Sequence, residues 1–148
     1  MKPYIILDKY YPIKWNAERV GQELTAITAS YGLVPHIDPA HGPLLKVPWV
    51  SEKLHAEVRR RTFNTKKAED WHYDGDTTPG SKPDCCLVLW ATNHPTEISW
   101  QDKIYVPEPY EIVIFKNMST RHRRPVGCPK IRWVFRQRVA VPNHLNLP

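Results

Sequence analysis

WHYDGD, residues 71–76, places His72 and Asp74 two positions apart where the chain changes character. In an extended strand residues i and i+2 face the same side, so an imidazole and a carboxylate at this spacing can converge on one point. In a polar turn the same residues would only solvate the backbone. Composition does not decide between them. Seven histidines and fifteen acidic residues among 148 give about 0.7 H-x-D/E pairs by chance, and the sequence has three. His55/Glu57 falls in a stretch expected to be helical, where i and i+2 point apart. His36/Asp38 lies in a proline-rich segment, where an aspartate most often bonds its own turn. Only the pair at 72 and 74 opens a strand-rich region.

Beyond Trp71, short β-prone runs follow at 85–91, 96–100, 103–106, 110–115 and 131–141, with Gly, Pro, Asn and Asp clusters between them. That rhythm predicts a mainly β fold, a sandwich or small barrel, with helices packed on its outside. Upstream, Tyr4 to Leu7 suits an edge strand. Asn16 is a good N-cap, and it predicts a helix over about 17–30, with Val20, Leu24 and Ile27 on one face and Gly32 past its end. Four prolines make residues 33–49 an irregular loop. Ser51, Leu54 and Val58 suggest a second short helix ending in Arg59, Arg60 and Arg61, where cations suit a helix C-terminus. The expectation is one domain over 1–148, with a helical and irregular support over 1–68 and a β core over 69–141.

No run approaches the roughly 18 apolar residues of a membrane span, so no membrane association is expected. Asp8 and Lys9 directly follow the first short apolar stretch, unlike a secretory leader, and a cytoplasmic protein is expected. The three cysteines agree: Cys85 and Cys86 are adjacent, the count is odd, and no C-x-x-C spacing indicates zinc. The net charge of +6 is unevenly placed. After Glu111 there is no acidic residue, while Lys116, Arg121, Arg123, Arg124, Lys130, Arg132, Arg136 and Arg138 are all basic. Such a segment suits an anionic partner, against the plainer alternative of a solvated basic face.

Chemistry supplies a reason for the H-x-D spacing. Non-haem Fe(II) is held in oxygenases by two imidazoles and one carboxylate on one face, leaving three positions open. Two ligands from one strand and a histidine from a facing strand meet that need. His122, 50 residues after His72 and beyond the 110–115 run, is the natural third. His94, in an N-H-P sequence, reads as a surface turn.

The order WHYD, LVLWATN (87–93), VPEPYEIVIFKN (106–117) and RHRRPVGCPKIRWVF (121–135) resembles the Fe(II)/2-oxoglutarate-dependent oxygenases, in particular their prolyl-hydroxylase-like branch. As in that branch, a Pro-Val pair follows the distal histidine and an arginine lies ten residues after it. The resemblance covers residues 70–138. It implies a double-stranded β-helix core of the jelly-roll or cupin type, with His72, Asp74 and His122 as ligands of Fe(II). It implies 2-oxoglutarate and O₂ as co-reactants, and Arg132 as the partner of the distal carboxylate of 2-oxoglutarate. A guanidinium suits that dianion because it forks onto a carboxylate and stays charged on burial. Arg136 and Arg138 share strand parity with Arg132, and Arg136 ranks second. No catalytic residue beyond the metal ligands is implied. Hydroxylation of an unactivated C–H bond is the default reaction, and the substrate could be a nucleic acid, a protein or a small molecule. HPTEISW (94–100) replaces the Gly-Gly-x-Thr segment common in the branch, and Trp90 stands near its usual cosubstrate tyrosine. The polar stretch from Gly75 to Lys82 would suit a lid over such a site.

Two other classes fit parts of the pattern. A non-catalytic nucleic-acid-binding module would stack bases on Trp71, Tyr73 and Trp133 between basic residues. A cupin-like metal protein would bind zinc or manganese without using 2-oxoglutarate.

Overall fold

The computed structural model describes residues 1–35, 56–61, 70–74, 85–125 and 132–148, with residues 56–61 described as backbone only. The expectations for His36/Asp38, for His55, for the loop beyond 35, for the helix start at Ser51 and Leu54, and for the lid from Gly75 to Lys82 lie outside these residues. In chain order the elements are β1 (Tyr4–Lys9), α1 (Ala17–Ser30), β2 (Ala56–Arg61), β3 (Cys85–Ala91), β4 (Glu97–Trp100), β5 (Lys103–Tyr105), β6 (Glu111–Phe115), β7 (His122–Arg123) and β8 (Arg132–Ala140). The fold is mainly β: an antiparallel five-stranded sheet in the order β1-β6-β3-β8-β2, and a three-stranded sheet in the order β5-β4-β7. None of the helices described is long and apolar enough to cross a membrane.

Helix α1 forms where its signals place it. The Asn16 side chain accepts a bond from the Arg19 backbone N–H at 3.0 Å, satisfying one orphan donor of the first turn. Val20 and Leu24 are buried one turn apart, and Ile27 is partly buried beside them. Gly32, at φ 72°, ends the helix in a conformation that a side chain would strain.

Strand β3 is apolar throughout because both of its faces are covered. Cys86, Val88 and Trp90 pack with Val20 and Leu24 of the helix and with Phe135 and Val139 of β8. Leu87, Leu89 and Ala91 point the other way, joining Val113, Phe115, Val134 and Ile98 between the two sheets. Cys85 and Cys86 are both buried and unbridged. Burial, with the neighbouring Cys85 adding to it, pushes the Cys86 thiol up to about 11. The thiol therefore stays neutral at pH 8, and only a thiolate alkylates readily. Site-resolved mass spectrometry with iodoacetamide should show Cys86 modified at the rate of unfolding, and rapid labelling of the native protein would contradict this.

The expected second helix is corrected by the structure. Val58 and Arg59 to Arg61 belong to β2, which pairs along β8 from Ala56 opposite Gln137 to Arg61 opposite Arg132. Weak local propensity yields to a ladder of backbone hydrogen bonds with β8, the longest of the described strands. With β1 at the opposite edge, the N-terminal part adds both edge strands of the larger sheet as well as a helical support.

The β4–β5 hairpin turns through Gln101 and Asp102, both left-handed at φ 48° and 63°, with Trp100 opposite Lys103. Two such residues in a two-residue loop make a type I′ turn, which strongly prefers Asn-Gly. Replacing Gln101→Asn together with Asp102→Gly should stabilise the protein by about 1 kcal/mol, read as a higher midpoint in urea.

Candidate metal centre

The site is assembled by one pair of backbone hydrogen bonds. His72 N–H donates to the His122 carbonyl at 3.1 Å, and His122 N–H donates back to His72 at 2.9 Å. Residues exchanging both bonds across an antiparallel pair carry their side chains on the same face. His122 also pairs with buried Ile98 of β4, so the row Ile98–His122–His72 faces inward between the sheets. Asp74, two residues on from His72, returns to that face, and its own N–H is tied to the Asn117 carbonyl at 3.0 Å. The two histidine rings lie 4.6 Å apart, and Phe115 meets His122 edge-on at 5.1 Å.

The outward atoms of all three side chains are engaged. Each Nδ1 sits against a backbone carbonyl two residues earlier: Asp70 at 2.7 Å for His72, and Thr120 at 2.9 Å for His122. A carbonyl only accepts, so both Nδ1 atoms carry the proton and both Nε2 atoms turn inward. Asp74 Oδ2 accepts from Asn117 Nδ2 at 3.1 Å and from Arg136 Nη2 at 3.4 Å, leaving Oδ1 for the interior. Asp74 Oδ1 lies 3.6 Å from Nε2 of His72 and 3.2 Å from Nε2 of His122. All three ligand atoms fall within 4.8 Å of one another. Donors at right angles on a first-row metal, each about 2.1 Å from it, would be about 3 Å apart.

Electrostatics sharpen what this cluster needs. Burial alone would raise the Asp74 carboxyl. The hydrogen bond with His122, the Arg136 charge and the Asn117 amide outweigh that cost and hold it well below the usual carboxylate range. Asp74 is therefore ionised, and its Oδ1 faces two imidazole nitrogens; the bond with His122 forms only when Nε2 of that ring carries a proton beside the one on Nδ1, and without it all three atoms present lone pairs. Three lone-pair donors at this separation repel unless a cation, a proton or a metal ion, lies among them.

The triad borders a cavity of about 180 Å³. Leu87, Leu89 and Val134 give it an apolar floor, and Arg124, Arg132 and Arg136 bring three guanidinium groups to its wall. Arg132, only 5 % exposed, donates from Nη1 to the His94 carbonyl at 2.7 Å. Arg136 leans instead on Asp74. Arg138 has the same strand parity but is not on the cavity wall. Thus His72, Asp74 and His122 come together, Arg132 and Arg136 both reach their cavity, and His94 stands apart from the triad.

Two residues of the site carried no distinctive signal in the sequence. Arg124 shares the inward parity of His122, two residues on, but sits in a run of basic residues that hides it. Asn117, fully buried, orients Asp74 through both its backbone and its side chain. On the outer face, two of the three aromatics considered for base stacking have partners within the protein. Arg123 lies 4.3 Å above the Trp71 ring and is ion-paired with Glu97 at 2.6 Å, and Trp133 meets Trp15 in a tilted ring contact at 5.0 Å. Tyr73 is 54 % exposed. The chain matches no protein-family model, no curated protein and no solved structure.

Proposed function

We propose that this chain is an Fe(II)- and 2-oxoglutarate-dependent dioxygenase that hydroxylates an unactivated C–H bond, and that its two sheets form a double-stranded β-helix. The observation that carries this reading is the convergence of two Nε2 atoms and one carboxylate oxygen, with their outward atoms engaged, beside a cavity containing a buried arginine. Two nitrogens and one oxygen on a single face suit a metal that must keep positions open for co-reactants. A structural zinc site would instead close its tetrahedron with a fourth protein ligand, and the described residues offer none at this cluster.

In this reading His72, Asp74 and His122 hold the metal, and Asn117 with Arg136 keeps Asp74 presenting one oxygen. Arg132 receives the distal carboxylate of 2-oxoglutarate through charge-assisted hydrogen bonds on the cavity wall. Leu87, Leu89 and Val134 give the space between an apolar lining. Fe(II) bound here would supply the coupling of 2-oxoglutarate decarboxylation, giving succinate and CO₂, to oxidation of the substrate C–H bond by O₂. The described residues contribute geometry and charge.

The test is the conversion of 2-oxoglutarate by the purified chain in air. Succinate should form slowly without a primary substrate, should require added Fe(II), and should vanish in His122→Ala. Metal binding without any succinate, across a panel of candidate substrates, would favour a cupin-like metal protein instead.

A further inference from the structure

The turn leaving β3 is seated against the residue beside Arg132. Thr92 donates its N–H to the Trp133 carbonyl at 3.1 Å, and its Oγ1 accepts the Trp133 N–H at 3.1 Å. Two residues on, His94 has φ 44°, in the left-handed region that side chains with a Cβ rarely adopt. Pro95 follows it, and a proline further narrows the backbone choices of the residue before it. Such a conformation persists only where its surroundings over-determine it. Here Thr92 pins one end of the turn, Pro95 is buried, and Thr96 lines the metal cavity. In this conformation the His94 carbonyl meets Arg132 Nη1 at 2.7 Å.

We propose that the strained His94 peptide is a positioning device for Arg132: its carbonyl, and not its imidazole, sets where the guanidinium stands on the cavity wall. This rests on the reading of Arg132 as the group that receives the distal carboxylate of 2-oxoglutarate. An arginine stem has several rotatable bonds, and ordering it only on binding would weaken affinity. A fixed acceptor at one Nη orders the guanidinium plane beforehand, so the carboxylate meets a plane that is already aligned. His94 is thus a positioning residue, acting through its backbone.

Two substitutions at one position separate backbone from side chain. His94→Gly removes the imidazole but adopts φ 44° freely, whereas His94→Val cannot hold it without strain and should flip the peptide. Anaerobic titration of the Fe(II)-loaded protein should give 2-oxoglutarate affinity within about twofold of wild type for His94→Gly. It should be about tenfold weaker for His94→Val, the size of one lost hydrogen bond to a charged group. Mn(II) affinity, measured alone, should be unchanged in both and shows that the fold persists. Should His94→Val not fold, Pro95→Ala frees the same peptide without added bulk and should weaken 2-oxoglutarate several-fold, roughly half the free-energy effect of a lost charged hydrogen bond. A readout on the metal-free protein needs no cosubstrate: the ¹⁵N signals of the Arg132 guanidinium should show hindered rotation in wild type and His94→Gly, and averaging in His94→Val. Equal weakening by Gly and Val would assign the effect to the imidazole and overturn the proposal, as would wild-type behaviour of His94→Val or of Pro95→Ala. If the NMR pattern holds but Arg132→Ala leaves 2-oxoglutarate affinity unchanged, the cosubstrate reading of Arg132 fails, and with it the purpose of the device, though not its geometry.

Discussion

Asp74→Ala is expected to lower Fe(II) affinity by more than about 100-fold, beyond the range typical for loss of a residue that merely orients a ligand. The loss has two sources. One of three donor atoms disappears, and with it the only negative charge among the three ligand side chains. The guanidinium of Arg136, which leans on Asp74 Oδ2 at 3.4 Å, then stands beside the site with that neutralising carboxylate gone. A dication would meet two neutral imidazoles and an adjacent cation. Asn117→Ala should give a smaller version of the same defect, about 10- to 100-fold, because the carboxylate remains but loses one of the bonds that turn Oδ1 inward. Isothermal titration with Mn(II), a redox-stable stand-in for Fe(II), reads both. Affinity in Asp74→Ala close to wild type would remove Asp74 from the ligand set.

The second large effect separates the two arginines. Arg132→Ala should weaken 2-oxoglutarate binding by about 100-fold while changing metal affinity by no more than about threefold, because truncating one side of a buried charge pair costs roughly 2–5 kcal/mol. Arg136→Ala should do the reverse, acting first on the metal, because its guanidinium contacts the ligand carboxylate. Sequence spacing ranks Arg132 first, and the structure gives Arg136 a contact of its own, with the carboxylate of Asp74. Parallel titrations of both variants with Mn(II) and with 2-oxoglutarate decide it. If Arg136→Ala is the one that loses 2-oxoglutarate with metal affinity intact, the roles are exchanged.

How much of this was legible in the chain depends on whether the deciding interaction was local. Helix α1 announces itself through Asn16, Val20, Leu24 and Gly32, all within one short segment, and it forms there. The strand runs from Cys85 onward are written in apolar and β-branched residues with turn signals between them, and β3, β4, β5, β6 and β8 fall within about a residue of those bounds. Strand β2 was not legible because Arg59, Arg60 and Arg61 carry no alternation of their own, and only the pairing with β8 makes them a strand. In the site, the H-x-D spacing and the distal histidine stood out. The reason they meet, the mutual bonds of His72 and His122, is a contact across 50 residues that no spacing encodes. Asn117 and the His94 carbonyl were invisible for a related reason. One is an amide among many, and the other acts through a backbone atom that every residue possesses.

These three side chains and this cavity are proposed to hold Fe(II) and 2-oxoglutarate together. Anaerobic addition of both to the purified chain, followed in the visible, tests it most directly, because only a 2-oxoglutarate chelated to Fe(II) through its keto-acid end gives a metal-to-ligand charge-transfer band. The band should appear at one equivalent of each, should be lost in Asp74→Ala and His122→Ala, and should need much more 2-oxoglutarate in Arg132→Ala. A wild-type protein that shows no band, or a band that survives removal of Asp74 and His122, would contradict it.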